Sequence, residues 1–280
     1  MRKATAIIFV VLLTALGARA QNETPKTSPD SKPEGKPAAT PATPAAPASA
    51  SATTTTAPAA TTTPTAEQLV DKYVAALGGK AAIEKLTSMT AKGTFDLPAM
   101  GVSGTAERLS KAPNKSYFIV NIPSFGDVKQ GTDGTTAWAQ NPGTGQIDDV
   151  TGVELTRSKI SADFYRDLKL KEHYPKMTVK GTGKVGERDA YVVEAVSSAG
   201  PSTMYFDSQS GLVLRVDGER EGPEGKMMVE EYFDDYREVD GVKFPFYYRQ
   251  KNPQYDFTVK YSEVKHNVAI DDAKFSKPAN

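Results

Sequence analysis

The chain has 280 residues, with 34 Lys and Arg against 34 Asp and Glu, so its formal net charge at pH 7 is zero. A balanced charge provides no basis for binding nucleic acid or anionic head groups over a broad surface, since both attract strongly positive surfaces. The sequence has no cysteine, which excludes disulfide bonds, thiolate metal ligands and lipid attachment to a cysteine.

The first segment has the pattern of a secretory signal peptide. Basic residues at 2–3 precede an apolar run at 7–16, which is shorter than the roughly 20 residues that a membrane-spanning helix needs. Residues 18–20 read Ala-Arg-Ala, the small-x-small pattern of a cleavage site. We therefore predict a signal peptide over 1–20 and a mature chain that begins at Gln21. The alternative is an uncleaved signal anchor.

Residues 21–65 form a linker rich in Pro, Ala and Thr. Its central part, 36–64, contains no large apolar residue. Such a segment cannot bury enough surface to offset the loss of backbone entropy, so we predict that it is disordered. We interpret it as a spacer, which becomes a tether only if the signal stays in the membrane. Its Ser, Thr and Pro content also permits O-glycosylation.

Residues 66–280 have the composition of one folded domain, and they begin with a predicted helix. Thr65 and Gln68 have the spacing of a capping box, in which each side chain accepts a hydrogen bond from a free backbone N–H. An apolar stripe at helical period follows and ends before two glycines, which favour a helix C-terminus. The stripe consists of Leu69, Val70, Tyr73, Val74 and Leu77. A second, short helix is predicted over 80–86.

From Met89 onward the apolar period changes to two, which is typical of strands. The predicted strands are 88–97, 103–112, 115–122, 125–132, 135–140, 176–184, 189–197, 202–207, 211–218, 226–234, 243–251 and 255–264. The pair Asp133-Gly134 is typical of a hairpin turn. A helix over 153–169 is predicted to interrupt the strands, because apolar residues recur there at helical spacing. Short strands in this number indicate a sandwich or a barrel.

One predicted strand, 115–122, is apolar on both faces. Tyr117 and Ile119 point to one face, while Phe118 and Val120 point to the other. Such a strand needs cover on both sides. A curled sheet with helices packed on it provides that cover.

The order of these elements and several short motifs resemble the outer-membrane lipoprotein-sorting superfamily, the LolA/LolB-like carriers. The motifs are KAPN at 111–114, YFIV at 117–120, TDGTTAW at 132–138, NP at 141–142, YREVDGVKFP at 236–245, and the final Phe275 and Pro278. The resemblance implies a mainly β (α+β) fold: a curled antiparallel sheet, forming an incomplete β-barrel, lidded by helices. It also implies an apolar cavity for acyl chains.

Motifs of catalysis and of cofactor binding are missing from the sequence. The only histidines, His173 and His266, are far apart, and the acidic pairs do not have the spacing of a calcium loop. There is no nucleophile elbow, phosphate-binding loop or dinucleotide fingerprint. We interpret the acidic pairs as turn or edge charges, and we expect neither enzymatic activity nor a cofactor or metal.

Six apolar residues are candidates for the cavity wall. Tyr117 shares a face with Ile119, and Met204 shares a face with Phe206, but only the resemblance places both pairs in one interior. The candidates are Phe95, Tyr117, Ile119, Trp138, Met204 and Phe206. For Trp138, as for the others, core packing is the alternative role. Arg108 is a candidate for a contact that holds a helical lid closed, and its alternative role is a solvated edge residue.

Two hypotheses on function follow. The first is a monomeric, non-catalytic periplasmic protein that holds acyl chains, a lipid or a lipoprotein in the cavity. The second is an envelope protein-interaction or stress-sensor module with the same fold. A carrier predicts a continuous apolar cavity, and an interaction module predicts a filled core with an apolar surface patch. Neither hypothesis involves nucleic acid.

Overall fold

A computed structural model of the chain describes residues 63–123, 125–141, 144–222 and 225–278. The predicted signal peptide and nearly all of the predicted linker therefore lie outside the described residues. Within the described part of the chain, no helix is both long and apolar enough to cross a membrane.

The chain enters the fold through a capped helix. The helices are α1 (Ala66–Leu77), α2 (Lys80–Ile83), α3 (Gly152–Ala162) and α4 (Leu170–His173). The backbone N–H of Gln68 donates to the Thr65 hydroxyl, and the N–H of Thr65 donates to the Gln68 side chain. Both halves of the predicted capping box are thus formed, and they fix the first residue of α1.

All thirteen described strands belong to one antiparallel sheet. The strands are β1 (Ser88–Leu97), β2 (Val102–Lys111), β3 (Lys115–Ile122), β4 (Gly126–Thr132), β5 (Ala137–Gln140), β6 (Ile147–Val150), β7 (Lys176–Val185), β8 (Arg188–Ser197), β9 (Gly200–Asp207), β10 (Val213–Gly222), β11 (Gly225–Val239), β12 (Val242–Lys251) and β13 (Asp256–His266). Single 3-10 turns span Pro98–Met100 and Asp272–Lys274.

The order of the strands places the first and last of them side by side. It reads β6-β5-β4-β3-β2-β1-β13-β12-β11-β10-β9-β8-β7. From β1 the chain proceeds outward, hairpin by hairpin, to the edge strand β6, and it returns inward from the other edge strand, β7. The segment 151–175, which we name the crossover, connects the two edges and contains α3 and α4. The sheet is curled and not closed into a barrel, which confirms the predicted fold class.

Two apolar clusters share one face of the sheet, which we name the covered face because α1 and the crossover pack on it. The first cluster lies on β1–β3, β12 and β13, and Phe164 of the crossover packs against it. The second cluster joins α1 and Leu170 to β8–β10. Between them, Phe233 and Tyr248 are cross-strand partners whose ring centroids are 5.7 Å apart.

The C-terminal segment, residues 267–278, covers part of the opposite face, which we name the outer face. Phe275 is fully buried, and its carbonyl oxygen accepts a hydrogen bond of 3.1 Å from Nε1 of Trp138. The Trp138 ring lies over Gly131, where a Cβ atom would be 2.8 Å from the ring. The glycine thus makes room for the indole, and the indole anchors the C-terminal segment.

The sequence-based elements agree with the structure at most positions, and the main departures are in the crossover, where α4 was not predicted, and at β6. The predicted helix 153–169 is wrong in its second half: α3 stops at Ala162, and Asp163 has a non-helical ψ of 113°. The Asp163 carboxylate accepts hydrogen bonds from the backbone N–H of Tyr165 and from Lys169, a local pairing that competes with helix. Strand β6 was not predicted, because two of its four residues are Asp, which is depleted in strands.

Replacing Phe275 by alanine should destabilise the fold by about 3–5 kcal/mol, the range for a fully buried phenylalanine. Phe125 is the matched control, since it is 41% exposed and its replacement by alanine should cost no more than about 0.5 kcal/mol. Urea unfolding of both variants measures the difference. Equal costs would mean that the C-terminal segment does not pack as described.

Asp272 should titrate at an unusually low pH. The ammonium groups of Lys111 and Lys115 each lie 2.7 Å from one of its carboxylate oxygens, and these hydrogen bonds lower the pKa of Asp272 to about 2. A depressed folded-state pKa stabilises the fold above the ordinary value of 3.8, and this contribution is lost as the pH falls through about 2. In a carboxyl NMR titration, the double variant K111Q/K115Q should return the midpoint towards 3.8. An unshifted midpoint in the native chain would contradict the pairing.

Candidate functional site

The candidate site is the part of the covered face where the two apolar clusters meet beneath the crossover. Phe233 packs on the second cluster and Tyr248 on the first, and both side chains are only partly buried. Burial nevertheless raises the pKa of Tyr248 well above its ordinary value. The two rings thus bridge the clusters and keep part of their apolar surface accessible.

A charged pair lies in the same region, in the crossover loop between α3 and α4. Arg166 donates a hydrogen bond of 3.3 Å to Asp167, and the two side chains are 38% and 33% exposed. Asp167 raises the pKa of Arg166, while burial opposes that shift. Burial, and then the charge of Asp167, also raise the pKa of Tyr73 on α1 and of Tyr236 on β11. The pair is thus close to both the helix and the sheet.

A second polar group lies on the covered face near the β10–β11 hairpin. The Tyr248 hydroxyl contacts Glu231 Oε1 at 3.2 Å and donates to Gln250 Oε1 at 2.8 Å, while Gln250 donates through Nε2 to the Tyr255 hydroxyl. Arg220 lies 3.8 Å from Glu231. These bonds satisfy polar groups that face an otherwise apolar interior, so they fix the side chains in place.

An arginine on the crossover fastens α3 to the far half of the sheet. Nη2 of Arg157 donates to the carbonyl oxygens of Ala199 and Glu219, at 2.9 and 3.0 Å, and Nη1 donates to Glu154 at 2.6 Å. Glu154 is only 7% exposed. We name these four residues the α3 latch, because they hold the helix across the sheet.

Three of the predicted cavity residues lie on the covered face, where they are packed into two different clusters. Phe95 belongs to the first cluster, with its ring centroid 5.3 Å from that of Phe257. Met204 and Phe206 belong to the second cluster, and the ring centroids of Phe206 and of Tyr73 on α1 are 5.9 Å apart. All three side chains are buried within the clusters on either side of the site.

The other three predicted residues lie on the outer face, so placing them on the inner side was wrong. Tyr117 and Ile119 alternate with Phe118 and Val120, and it is the latter two that pack in the first cluster. The ring centroids of Trp138 and Tyr117 are 6.0 Å apart, and Trp138 is buried beneath Phe275. Strand 115–122 is apolar on both faces, and the face that the helices do not cover is covered by the C-terminal segment.

Arg108 lies on the covered face, but the lid contact predicted for it is not among its described partners. Nε of Arg108 donates a hydrogen bond of 3.5 Å to the Ser110 hydroxyl. Burial raises the pKa of Tyr261, and the nearby Arg108 opposes that rise. Both partners are on strands. The arginine that joins helix to sheet is Arg157, on the helix. Sequence analysis missed it, because its sheet partners are carbonyl oxygens, which carry no sequence signal.

An open cleft of about 670 Å³ lies away from this site, beside the start of the C-terminal segment. It is lined by Thr87, Ser88, Lys111, Ala112, Pro113, Val268, Ala269, Ile270 and Asp271. In the described ranges, no group of three or more His, Asp or Glu side chains is placed to hold a metal ion.

Comparison with known proteins gives matches in structure. No protein-family model matches the sequence, and neither does any curated protein. A DUF1329 family protein from Desulfovibrio piger superposes with a TM-score of 0.50 at 13% identity, over 75% of this chain and 96% of its own. A LolA superfamily protein from Nitrosomonas europaea superposes with a TM-score of 0.50 at 13% identity, over 77% of this chain and 99% of its own.

These matches confirm the resemblance at the level of fold. The chain has a LolA/LolB-like fold, a curled antiparallel sheet with helices on one face.

Replacing Arg157 by glutamine should destabilise the protein by about 3–5 kcal/mol, because it leaves the buried Glu154 without its cation. The double variant R157Q/E154Q should cost less than the sum of the two single changes, since it removes the uncompensated charge as well. Urea unfolding of the four proteins gives the coupling. Strictly additive costs would contradict the latch.

The exposed pair Lys180–Glu194, 2.9 Å apart, is the matched control. Replacing Lys180 by glutamine should cost no more than about 1 kcal/mol, as is typical of surface ion pairs.

Proposed function

We propose that this chain is a non-catalytic binding protein of the cell envelope that holds an apolar chain between the covered face and the crossover. The observation that carries the proposal is the partial burial of large apolar side chains that point inward. Phe118, Phe233 and Tyr248 lie on the covered face, Phe164 packs on that face from the crossover, and each remains partly accessible. Partly accessible apolar surface of this kind is what an apolar chain can cover on binding.

The binding energy would come from burial of the ligand. Each Å² of apolar surface that leaves water contributes about 25 cal/mol, so an alkyl chain needs no specific partner to bind. The LolA-like fold of the chain supports a lipid or the acyl chains of a lipoprotein as the ligand class. Entry and release then require α3 to move, and the latch of Arg157 opposes that movement.

The location and domain organisation belong to the same proposal. We infer that 1–20 direct export to the periplasm, that 21–65 are a spacer, and that 66–280 fold as a monomeric binding domain. The pattern of the signal segment supports export, and the composition of the spacer supports its lack of a core.

The direct test is binding of N-phenylnaphthylamine, an uncharged probe that fluoresces in apolar surroundings. The protein should bind it saturably, and mass spectrometry of an organic extract of natively purified protein should show a bound lipid. Phe233→Trp should weaken probe binding several-fold, because the larger ring fills the space between the clusters.

Tyr232→Trp is the matched control, because Tyr232 is the preceding residue and contacts Arg215 and Arg249 on the outer face. It should leave probe binding unchanged. If the native protein binds no probe and carries no lipid, the interior is packed, and the proposal gives way to the alternative of a protein-interaction module.

A further inference from the structure

The crossover carries a charged pair between two of its apolar anchors. Arg166 and Asp167 lie between Phe164, which packs on the first cluster, and Leu168, which packs on the second. The packed neighbours hold this loop against the covered face. The two charged side chains are therefore positioned where the clusters meet, beside Tyr73 and Tyr236.

Most of the hydrogen-bonding capacity of Arg166 is unused by the described residues. A guanidinium carries five N–H donors. The hydrogen bond that Arg166 makes within the described part of the chain is the 3.3 Å contact from Nη2 to Asp167. Since 38% of the side chain is exposed, remaining donors are open to a second partner.

Asp167 is the partner that an incoming anion has to displace. Its charge adds to the effect of burial in raising the pKa of Tyr73 on α1. Since 33% of the Asp167 side chain is exposed, water can solvate its carboxylate when another anion takes the guanidinium.

We propose that Arg166 binds the carboxylate of a long-chain acid whose alkyl chain occupies the site between the two clusters. This inference rests on the proposed function and specifies the head group of its ligand. A planar carboxylate accepts two parallel hydrogen bonds from a guanidinium. The single long bond to Asp167 is thereby replaced by a bidentate pair. An uncharged chain of the same length lacks this contribution.

The test compares cis-parinaric acid with its methyl ester, two fluorescent probes that share a chain and differ in head-group charge. The native protein should bind the acid about tenfold more tightly than the ester, as one charge-assisted hydrogen-bonded contact provides. Arg166→Gln should weaken binding of the acid to the level of the ester and leave the ester unchanged. Asp167→Asn should tighten binding of the acid, because it removes the competing carboxylate.

The control is Arg237→Gln, which removes an exposed arginine paired with Asp235 at 2.6 Å, and it should alter neither affinity. Equal binding of acid and ester by the native protein overturns the inference and leaves the proposed function standing. Equal weakening of both probes by Arg166→Gln also overturns it, since that indicates a structural role. If the native protein binds neither these probes nor N-phenylnaphthylamine, the proposed function itself fails.

Arg166→Lys and Asp167→Asn keep the inference testable if Arg166→Gln does not fold. A lysine retains the positive charge but lacks the paired N–H donors of a planar guanidinium, so the preference for the acid should shrink but remain. An acid-to-ester ratio that is unchanged in both variants overturns the proposal.

Discussion

β1 and β13 pair in the middle of the sheet, from Met89 opposite His266 to Asp96 opposite Thr258. Because the ends of the domain meet there, the chain builds outward to one edge and must then travel to the other before it can return. Strand pairing alone cannot make that connection, so a non-strand segment has to cross a face of the sheet. The crossover is this segment, and its position encloses the candidate site.

The enclosure differs from a packed second layer because the crossover is short and largely polar. It contributes only a few apolar anchors, among them Phe164, Leu168 and Leu170. A few anchors cannot fill the concavity of a sheet of this size, and the side chains between them remain accessible. The same shortage explains why α3 is held by the hydrogen bonds of Arg157 and Glu154 rather than by a buried apolar stripe.

Local pattern was sufficient to predict most of the elements. Strands 88–97 and 115–122 were predicted with the bounds that the structure shows, since alternation and flanking turn residues are local properties. The faces were not predictable in the same way. Where both faces of a strand are apolar, the period of two gives the phase of Tyr117 relative to Phe118 but not the side on which the helices lie. Contacts such as Trp138 with Phe275, separated by 137 positions, leave no local signal.

The outer face of the other half of the sheet needs no cover from the helices. There, Tyr205, Arg215, Tyr232 and Arg249 form a ladder across four strands, in which each guanidinium lies 5.1–5.4 Å from a tyrosine ring. Asp217 and Asp256 neutralise the two arginines. Such a surface is stable in contact with water, because its apolar rings are covered by cations and its cations are paired. It therefore needs no second layer, and the apolar surface that remains to be covered in this half faces the helices.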